Sequence, residues 1–420
     1  MRSQALLDEL TWRGLLFQQT AEVGEALDRG QTTAYVGFDP TAPSLHIGNL
    51  IPLMGLVHLQ RAGHRPIALV GGGTGLIGDP GGKSIERPLA DHATVSSNAA
   101  AIRAQLERFL DFSGTSAARM VDNAEWLLEL RAVDFMRDVG KHFTVNYMLQ
   151  KESVKGRMEA GISFTEFSYM LLQAYDFLEL NRRYGVTLQM GGSDQWGNIT
   201  AGIELIRRIR STEAHAITFP LVMTSAGTKF GKTESGAVWL DPTLTSPYKF
   251  YQFWINADDR DAGRYLRFFT LLPRADVETL EAAAGEHPER RDAQRALARE
   301  VTARVHGNAA VTAAEEVSGL LFGGADPSTL SIAALEALRG EIPFFSAARL
   351  DDPQSVIDAV IGEGEALFKS KGDAKRMVQQ GGVYLNGQRV EAEMTAVAPL
   401  HGRYVLLRKG ARNYALIGKG

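Results

Sequence analysis

Thr33-Ala34-Tyr35-Val36-Gly37-Phe38-Asp39-Pro40-Thr41-Ala42-Pro43-Ser44-Leu45-His46-Ile47-Gly48-Asn49 runs from a strand-forming stretch through a proline-rich turn into a helix start. Thr33 to Phe38 carries the β-branched and aromatic residues of a strand, and His46 to Arg61 has the periodicity of a helix. Arg65 to Val70 is predicted as a second strand. Strand, helix and strand make a βαβ unit. It predicts an α/β fold with a Rossmann-like parallel sheet, helices on its faces and a ligand site at the carboxyl ends of its strands. Gly185 to Met190 continues the sheet, and Gly197 to Arg210 adds a helix. From about Pro247 to Arg339 the pattern is helical, which predicts a second, α-helical domain. Pro343 to Pro353 has no clear periodicity and a proline at each end, and is the expected linker to a C-terminal module.

A chain of 420 residues, 45% hydrophobic and 22% charged, can fill the cores of two or three domains, which excludes disordered and fibrous classes. It has no cysteine, so disulfides and thiolate metal sites are excluded, and its nine histidines form no ligand motif. No protein-bound metal is therefore expected. No apolar run reaches the length of a membrane span, and Met1 to Glu9 turns acidic too early for a secretion signal, so a cytoplasmic protein away from membranes is expected.

The net charge of −4 conceals a split. Ala366 to Gly420 holds ten Lys or Arg against three Asp or Glu, a charge of +7, which leaves −11 on residues 1 to 365. This basic segment has a folded pattern. Asp373 to Gln380 reads as a short helix closed by Gly381-Gly382, and Val383 to Val390 as a hairpin turning at Asn386-Gly387. A small basic α+β module of this kind is expected to meet a phosphate backbone, which points to RNA.

After the second strand comes Gly71-Gly72-Gly73-Thr74-Gly75-Leu76-Ile77-Gly78-Asp79-Pro80-Gly81-Gly82-Lys83-Ser84. Gly73 to Gly78 matches a dinucleotide-binding pattern, but that pattern must open a helix and Asp79-Pro80-Gly81-Gly82 breaks one. Gly78 to Ser84 is one residue short of a Walker loop. What remains is a loop at the ligand edge whose Asp79 suits an ammonium and whose Lys83 and Arg87 suit a phosphate.

Phosphate chemistry is densest at the helix start. His46 lies where unpaired amides and the helix dipole favour anions, Thr41 and His46 add donors, and Gly48 permits close approach. Far along the chain, Lys229-Phe230-Gly231-Lys232-Thr233 puts two ammonium groups three residues apart, suited to a pyrophosphate that gains charge as it leaves. Ser163-Phe164-Thr165-Glu166 reads as a capping box opening a helix through Leu180. On that helix Tyr169, Gln173 and Asp176 recur at helical spacing among apolar residues, and a buried polar stripe needs partners.

His46-Ile47-Gly48-Asn49 and Lys229-Phe230-Gly231-Lys232-Thr233 resemble the two signatures of class I aminoacyl-tRNA synthetases, with Asn49, Phe230, Gly231 and Thr233 as departures. Gly191-Gly192-Ser193-Asp194-Gln195-Trp196-Gly197-Asn198-Ile199 is similar to the substrate loop of the bacterial-type tyrosyl-tRNA synthetases, and the likeness extends through Trp239 to Pro242 and Ser246 to Phe250 into the basic module. The resemblance implies a tyrosine–tRNA ligase that forms tyrosyl-adenylate and pyrophosphate, then esterifies tyrosine onto the terminal ribose of tRNA(Tyr). It implies that Thr41, His46, Lys83, Arg87, Lys229 and Lys232 stabilise the phosphates. Gly37, Asp39, Gly48, Asn49, Gly192 and Asp194 would line the nucleotide, with Lys232 also reaching it and Gln195 beside the adenylate and the tyrosine. Tyr35 and Asp176 would hold the phenol; Asp79, Tyr169 and Gln173 would bind the ammonium.

ATP would enter with Mg2+ as a substrate complex, and a homodimer would let one tRNA span two subunits, with Lys151, Lys155, Arg207 and Arg208 as backbone contacts unless surface salt bridges occupy them. In these terms residues 1–225 form the catalytic domain, 226–342 the lysine loop and an anticodon-side helical domain, and 354–420 the RNA-binding module. Tryptophanyl-tRNA synthetase and another nucleotidyl transferase are the enzyme alternatives, neither of which is expected to pair Tyr35 with Asp176; a non-catalytic RNA-binding scaffold is the third, against which the intact Thr41, His46 and both lysines argue.

Overall fold

The computed structural model describes residues 4–80, 89–158, 161–228, 230–233, 236–391 and 394–419, with backbone alone at 4, 152, 153, 157, 232 and 233. The chain packs as two compact units, one made of residues 1–241 and 257–297 and the other of 242–256 and 298–420.

Six strands form the first unit's sheet: β1 (Gln18–Gln19), β2 (Thr33–Phe38), β3 (Arg65–Val70), β4 (Arg119–Asp122), β5 (Leu188–Gly192) and β6 (His215–Phe219), in the spatial order β1-β6-β5-β2-β3-β4. All neighbours are parallel except β1 on β6. The chain leaves β2 toward β3 and β4, then returns to β5 on the other flank of β2. A parallel sheet that reverses direction in this way opens a crevice at the carboxyl ends of the strands where it reverses. Tyr35, Val36 and Phe38 of β2 are buried, as a strand at the centre of a covered sheet requires.

The predicted helix after β2 forms as a single 3-10 turn, Ile47–Asn49, and a helix, Leu50–Arg61. Seven apolar residues of that helix are buried on its way back to β3, and Gly55 lets it approach the sheet so closely that a Cβ there would lie 2.1 Å from the Phe219 ring. The predicted capping box opens a helix of 21 residues, Phe164–Tyr184, where the Ser163 side chain accepts from the Glu166 amide and Gly185 ends the helix in the left-handed conformation. The predicted helix after β5 spans Trp196–Arg210 and packs on Phe164–Tyr184, with Gly202 against Phe177. A core around Tyr35, Ile67, Phe177 and Leu205 joins these elements to the sheet.

The helical stretch from Pro247 to Arg339 is helical but belongs to both units. Helices Asp259–Phe269 and Arg274–Glu286 pack with the first unit, because Phe230 stacks on Phe269 with ring centroids 5.1 Å apart and the buried Arg13 donates to the carbonyls of Arg267, Thr270 and Leu272. Within the second unit, β9 (Phe344–Ala347), β10 (Val383–Leu385), β11 (Gln388–Arg389), β12 (Tyr404–Lys409) and β13 (Asn413–Lys419) form one sheet in the order β11-β10-β12-β13-β9.

The stretch read as a linker, Pro343 to Pro353, therefore contributes β9, which pairs parallel with β13 and closes the sheet edge. Four residues are too few for alternation to show in sequence, and the pairing partner lies about 70 residues away. The predicted helix and hairpin of the basic module are present: the helix spans Lys371–Gln379, and Asn386 and Gly387 turn the hairpin with φ of 48° and 83°. Eight of the ten basic side chains from Lys369 to Lys419 are exposed.

Candidate active site

The crevice at the reversal point is lined from four strand ends. Asp39 follows β2, the glycine loop from Gly71 follows β3, Asp122 and Asn123 close β4, and Gly192 ends β5. Packing dictates the loop's glycines: a Cβ on Gly71 would lie 2.1 Å from Asp39 Oδ1, and one on Gly72 would lie 2.3 Å from Asp122 Oδ1. Thr74 and Asp39 meet only because the backbone passes this close.

At one end of the crevice Asp176 is 2% exposed and accepts two hydrogen bonds, from Trp126 Nε1 at 2.7 Å and from Asn123 Nδ2 at 2.8 Å. Burial pushes its carboxyl up to about 8, opposed by those two donors and reinforced by the charges of Asp39 and Asp122. Tyr35, on β2, packs edge-on against Phe177, and its hydroxyl is buried without a hydrogen-bond partner. Burial and the nearby Asp176 hold that phenol well above its ordinary range, so it stays a donor. An orphaned hydroxyl facing a carboxylate's surroundings is a site short of one polar group, because buried hydroxyls otherwise find partners.

A second cluster adjoins it. Tyr169 donates to Asp39 Oδ2 at 2.7 Å, and Thr74 donates to the other oxygen of Asp39 at 2.7 Å. Burial, then the charges of Asp39 and Asp79, raise the Tyr169 phenol. Gln195 donates to Asp79 Oδ2 at 2.7 Å, and Asn198 donates to Gln173 Oε1 at 3.1 Å and to Gln195 Oε1 at 3.3 Å. Asp39 and Asp79 beside one phenol make this end negative, which suits a cation such as an amino acid's ammonium.

The helix start offers donors suited to an anion. His46 caps the Ile47–Asn49 turn: its Nδ1 accepts from the Gly48 amide at 3.0 Å, and its own amide donates to Asn49 Oδ1 at 3.0 Å. With Nδ1 acting as acceptor, the neutral ring carries its proton on Nε2, which makes that nitrogen a donor. Asn49, the departure in the first signature, thus has a structural task that an amide performs. A Cβ on Gly48 would lie 2.8 Å from the imidazole, so this glycine makes room for the His46 ring.

The segment after the lysine signature runs alongside. β7 (Lys232–Thr233) pairs with β8 (Gly236–Ala237), the Ile47 amide donates to Val238 O at 3.0 Å, and Gly231 packs on Ile47. The two signatures, about 185 residues apart in sequence, are neighbours. Lys83, Arg87 and Lys229 lie outside the described residues, and Lys232 is described only by its place on β7.

The remaining sequence-predicted residues fall around the same crevice. Gly37 is exposed on the central strand, with open space where a Cβ would be, and Thr41 is exposed just after β2. Gly192 and the exposed Asp194 begin the turn after β5, where a Cβ on Gly192 would crowd Asp194 Oδ1 at 2.5 Å. Of the four suggested backbone contacts, Arg207 and Arg208 bond Glu204 at 2.8 and 2.5 Å, and Lys151 Nζ donates to Thr200 and lies over the Tyr147 ring. Sequence reasoning missed Asn123, Trp126, Thr74 and Asn198, which orient the residues it found. Among the described residues no group of His, Asp or Glu is arranged to hold a metal ion, and no helix is long and apolar enough to cross a membrane.

Residues 27–323 match the family model described as tRNA synthetases class I (W and Y), and residues 335–417 match that of the tyrosine–tRNA ligase SYY-like C-terminal domain. The chain is 55% identical to a tyrosine–tRNA ligase of Roseiflexus castenholzii over 98% of its own length and 99% of the relative's. It is 51% identical to that of Bacillus caldotenax over the same shares. Among solved structures, the C-terminally truncated mitochondrial tyrosyl-tRNA synthetase of Aspergillus nidulans aligns with a TM-score of 0.69 at 29% identity, covering 76% of this chain and 94% of that one. A tryptophanyl-tRNA synthetase of Encephalitozoon cuniculi aligns with a TM-score of 0.53 at 14% identity, so the fold alone is common to both specificities. The chain belongs to the class I tRNA synthetases of the W and Y type, within the tyrosine–tRNA ligases.

Proposed function

We propose that the chain activates tyrosine with ATP to give tyrosyl-adenylate and pyrophosphate, and then transfers tyrosine to the terminal ribose of tRNA(Tyr). The observation that carries the choice of amino acid is the buried, unpartnered hydroxyl of Tyr35 beside Asp176. A tyrosine ring inserted there would present a phenol that accepts from Tyr35 and donates to Asp176. Asp79, Tyr169 and Gln173 would take the ammonium, and Gln195 the carboxyl end. The substrate carboxylate then attacks the α-phosphorus of ATP in line and expels pyrophosphate, with no covalent enzyme intermediate.

Positioning and charge stabilisation supply the catalysis. Thr41 and the Nε2 proton of His46 would donate to phosphate oxygens at the helix start, and Lys83, Arg87, Lys229 and Lys232 would balance the growing charge. Gly37, Asp39, Gly48, Asn49, Gly192 and Asp194 would line the nucleotide, with Asp39 also bracing Tyr169. ATP arrives as its magnesium complex, the ion belonging to the substrate.

The functional division runs 1–225 for catalysis, 226–342 for the lysine loop and anticodon side, and 354–420 for RNA. The charge of +7 from Ala366 onward supports the last assignment. A homodimer in the cytoplasm is the proposed working form. Leu128, Val133, Met136, Val145, Met158 and Phe164, large apolar side chains exposed within one stretch of the first unit, support it.

ATP–pyrophosphate exchange measured with each amino acid in turn tests the activity; exchange with tryptophan, or with none, would overturn it. Removing residues after Leu350 is expected to keep at least about half of tyrosine-dependent exchange while lowering tRNA charging by about a hundredfold or more, with wild-type charging falling more steeply with salt than exchange does. Equal loss of both activities would refute the division.

A further inference from the structure

Gln105, near the end of helix His92–Leu106, lies outside the crevice network yet is 8% exposed and uses both ends of its amide on the turn before His46. Its Oε1 accepts from the Leu45 amide at 2.9 Å and its Nε2 donates to Ser44 Oγ at 3.0 Å. Ser44, 4% exposed, also donates to Leu45 O at 2.7 Å and accepts from the Asp241 amide at 3.1 Å. The hydroxyl's one proton and both lone pairs are thereby engaged.

Asp241 ends the segment that returns from the lysine signature. That segment is laced to the histidine turn by Leu240 N to Leu45 O at 2.8 Å, Ile47 N to Val238 O at 3.0 Å and an antiparallel bridge between His46 and Trp239. At its other end the Val238 amide donates to Gly231 O at 3.1 Å, next to Lys232.

We propose that Gln105, acting through Ser44, is a positioning residue that fixes the register of the segment Val238–Asp241 against the His46 turn and so aligns the two signatures on the phosphates. It touches no reacting atom. Without it the ladder keeps its backbone bonds but loses the held brace at the Asp241 amide, and the limb carrying Gly231 and Lys232 gains freedom to slide relative to His46. A shift of about 1 Å in a group that stabilises a transition state costs on the order of a hundredfold in rate, even when its cause is distant.

The inference rests on the adenylation reading, and the two fail differently. In full-length protein, Gln105→Leu is expected to lower the single-turnover rate of adenylate formation roughly tenfold to a hundredfold at saturating tyrosine and ATP. Tyrosine affinity by fluorescence titration should stay within about twofold, because Tyr35 and Asp176 are held by other elements. Ser44→Ala should show the same split, and the double variant should be no slower than the slower single one, as expected for two links of one clip. In a Lys232→Ala background, Gln105→Leu should cost less than about twofold more.

A normal rate in both single variants, a parallel fall in tyrosine affinity, or losses that multiply would each overturn the proposal. Should Gln105→Leu not fold, Ser44→Ala with and without Lys232→Ala decides it alone. Absence of tyrosine-dependent exchange in the wild type would instead defeat the functional reading itself.

Discussion

Lys232→Ala is expected to slow adenylate formation by roughly a hundredfold to a thousandfold in single-turnover measurements, with tyrosine affinity within about twofold of wild type. The backbone of Lys232 sits on β7, one residue beyond Gly231, which rests on the histidine turn. On the proposed reading, an ammonium carried from there would balance the phosphates on which His46 and the helix start would also act. Charge builds on the leaving pyrophosphate only as the bond to the α-phosphorus breaks, so the contact is stronger in the transition state than before it. The same split is expected of Lys229→Ala. A normal rate combined with weakened tyrosine binding would show that the lysines serve the amino acid instead.

The second large effect belongs to Asp176→Asn. Each oxygen of Asp176 accepts one hydrogen bond, from Trp126 and from Asn123. An amide in its place offers a single acceptor, so one buried donor would face an NH2 group. An unsatisfied buried donor costs about 1–3 kcal/mol, and that loss of stability should appear in denaturant titration. Above about pH 8, where the carboxylate form prevails, the amide also lacks the charge that strengthens a hydrogen bond from a phenol, so kcat/KM for tyrosine in exchange should there fall by roughly a hundredfold to a thousandfold.

The pH dependence carries two opposite signs. Because burial raises Asp176 to about 8, the folded chain keeps its proton where an unfolded chain has lost it. This group's contribution to stability is therefore present below the ordinary carboxylate range and is lost as pH rises through about 8. Substrate choice runs the other way: the carboxylate form accepts the substrate's phenolic proton, so wild-type preference for tyrosine over phenylalanine should rise as pH passes about 8. In Asp176→Asn the preference should be flat over that interval.

Sequence made the site's actors legible because their chemistry repeats in short, local patterns. His46 at a helix start, the stripe of Tyr169, Gln173 and Asp176, and the turn from Gly191 to Ile199 each sit on one element whose period or capping box can be read directly. The central strands and their parallel pairing were legible for the same reason. The supporting cast was not. Asn123 and Trp126 come just after β4, a four-residue strand with no periodicity to announce it, and reach Asp176 across 50 or more positions of sequence.

Likewise, nothing local to Phe344–Ala347 foretells that it completes the C-terminal sheet, and nothing in Ala257–Leu297 foretells that it packs with the first unit. Those outcomes depend on partners remote in sequence, such as the Arg13 guanidinium that gathers three carbonyls between Arg267 and Leu272. Gly48 shows a further limit: a glycine beside an anion site reads as room for a ligand, whereas its Cβ would strike the His46 ring.

The claim that the phenol is read by Tyr35 and Asp176 at the reversal point of the sheet is tested most directly by the ratio of kcat/KM for tyrosine over phenylalanine in the Tyr35→Phe variant. The Tyr35 hydroxyl has no hydrogen bond to lose within the protein, so removing it leaves the folded chain intact and deletes only a contact to substrate. One neutral hydrogen bond is worth about 0.5–1.5 kcal/mol, and the ratio is expected to narrow by a few-fold to about tenfold, with the KM for ATP unchanged. An unchanged ratio would contradict the account, since the phenol would then be read elsewhere.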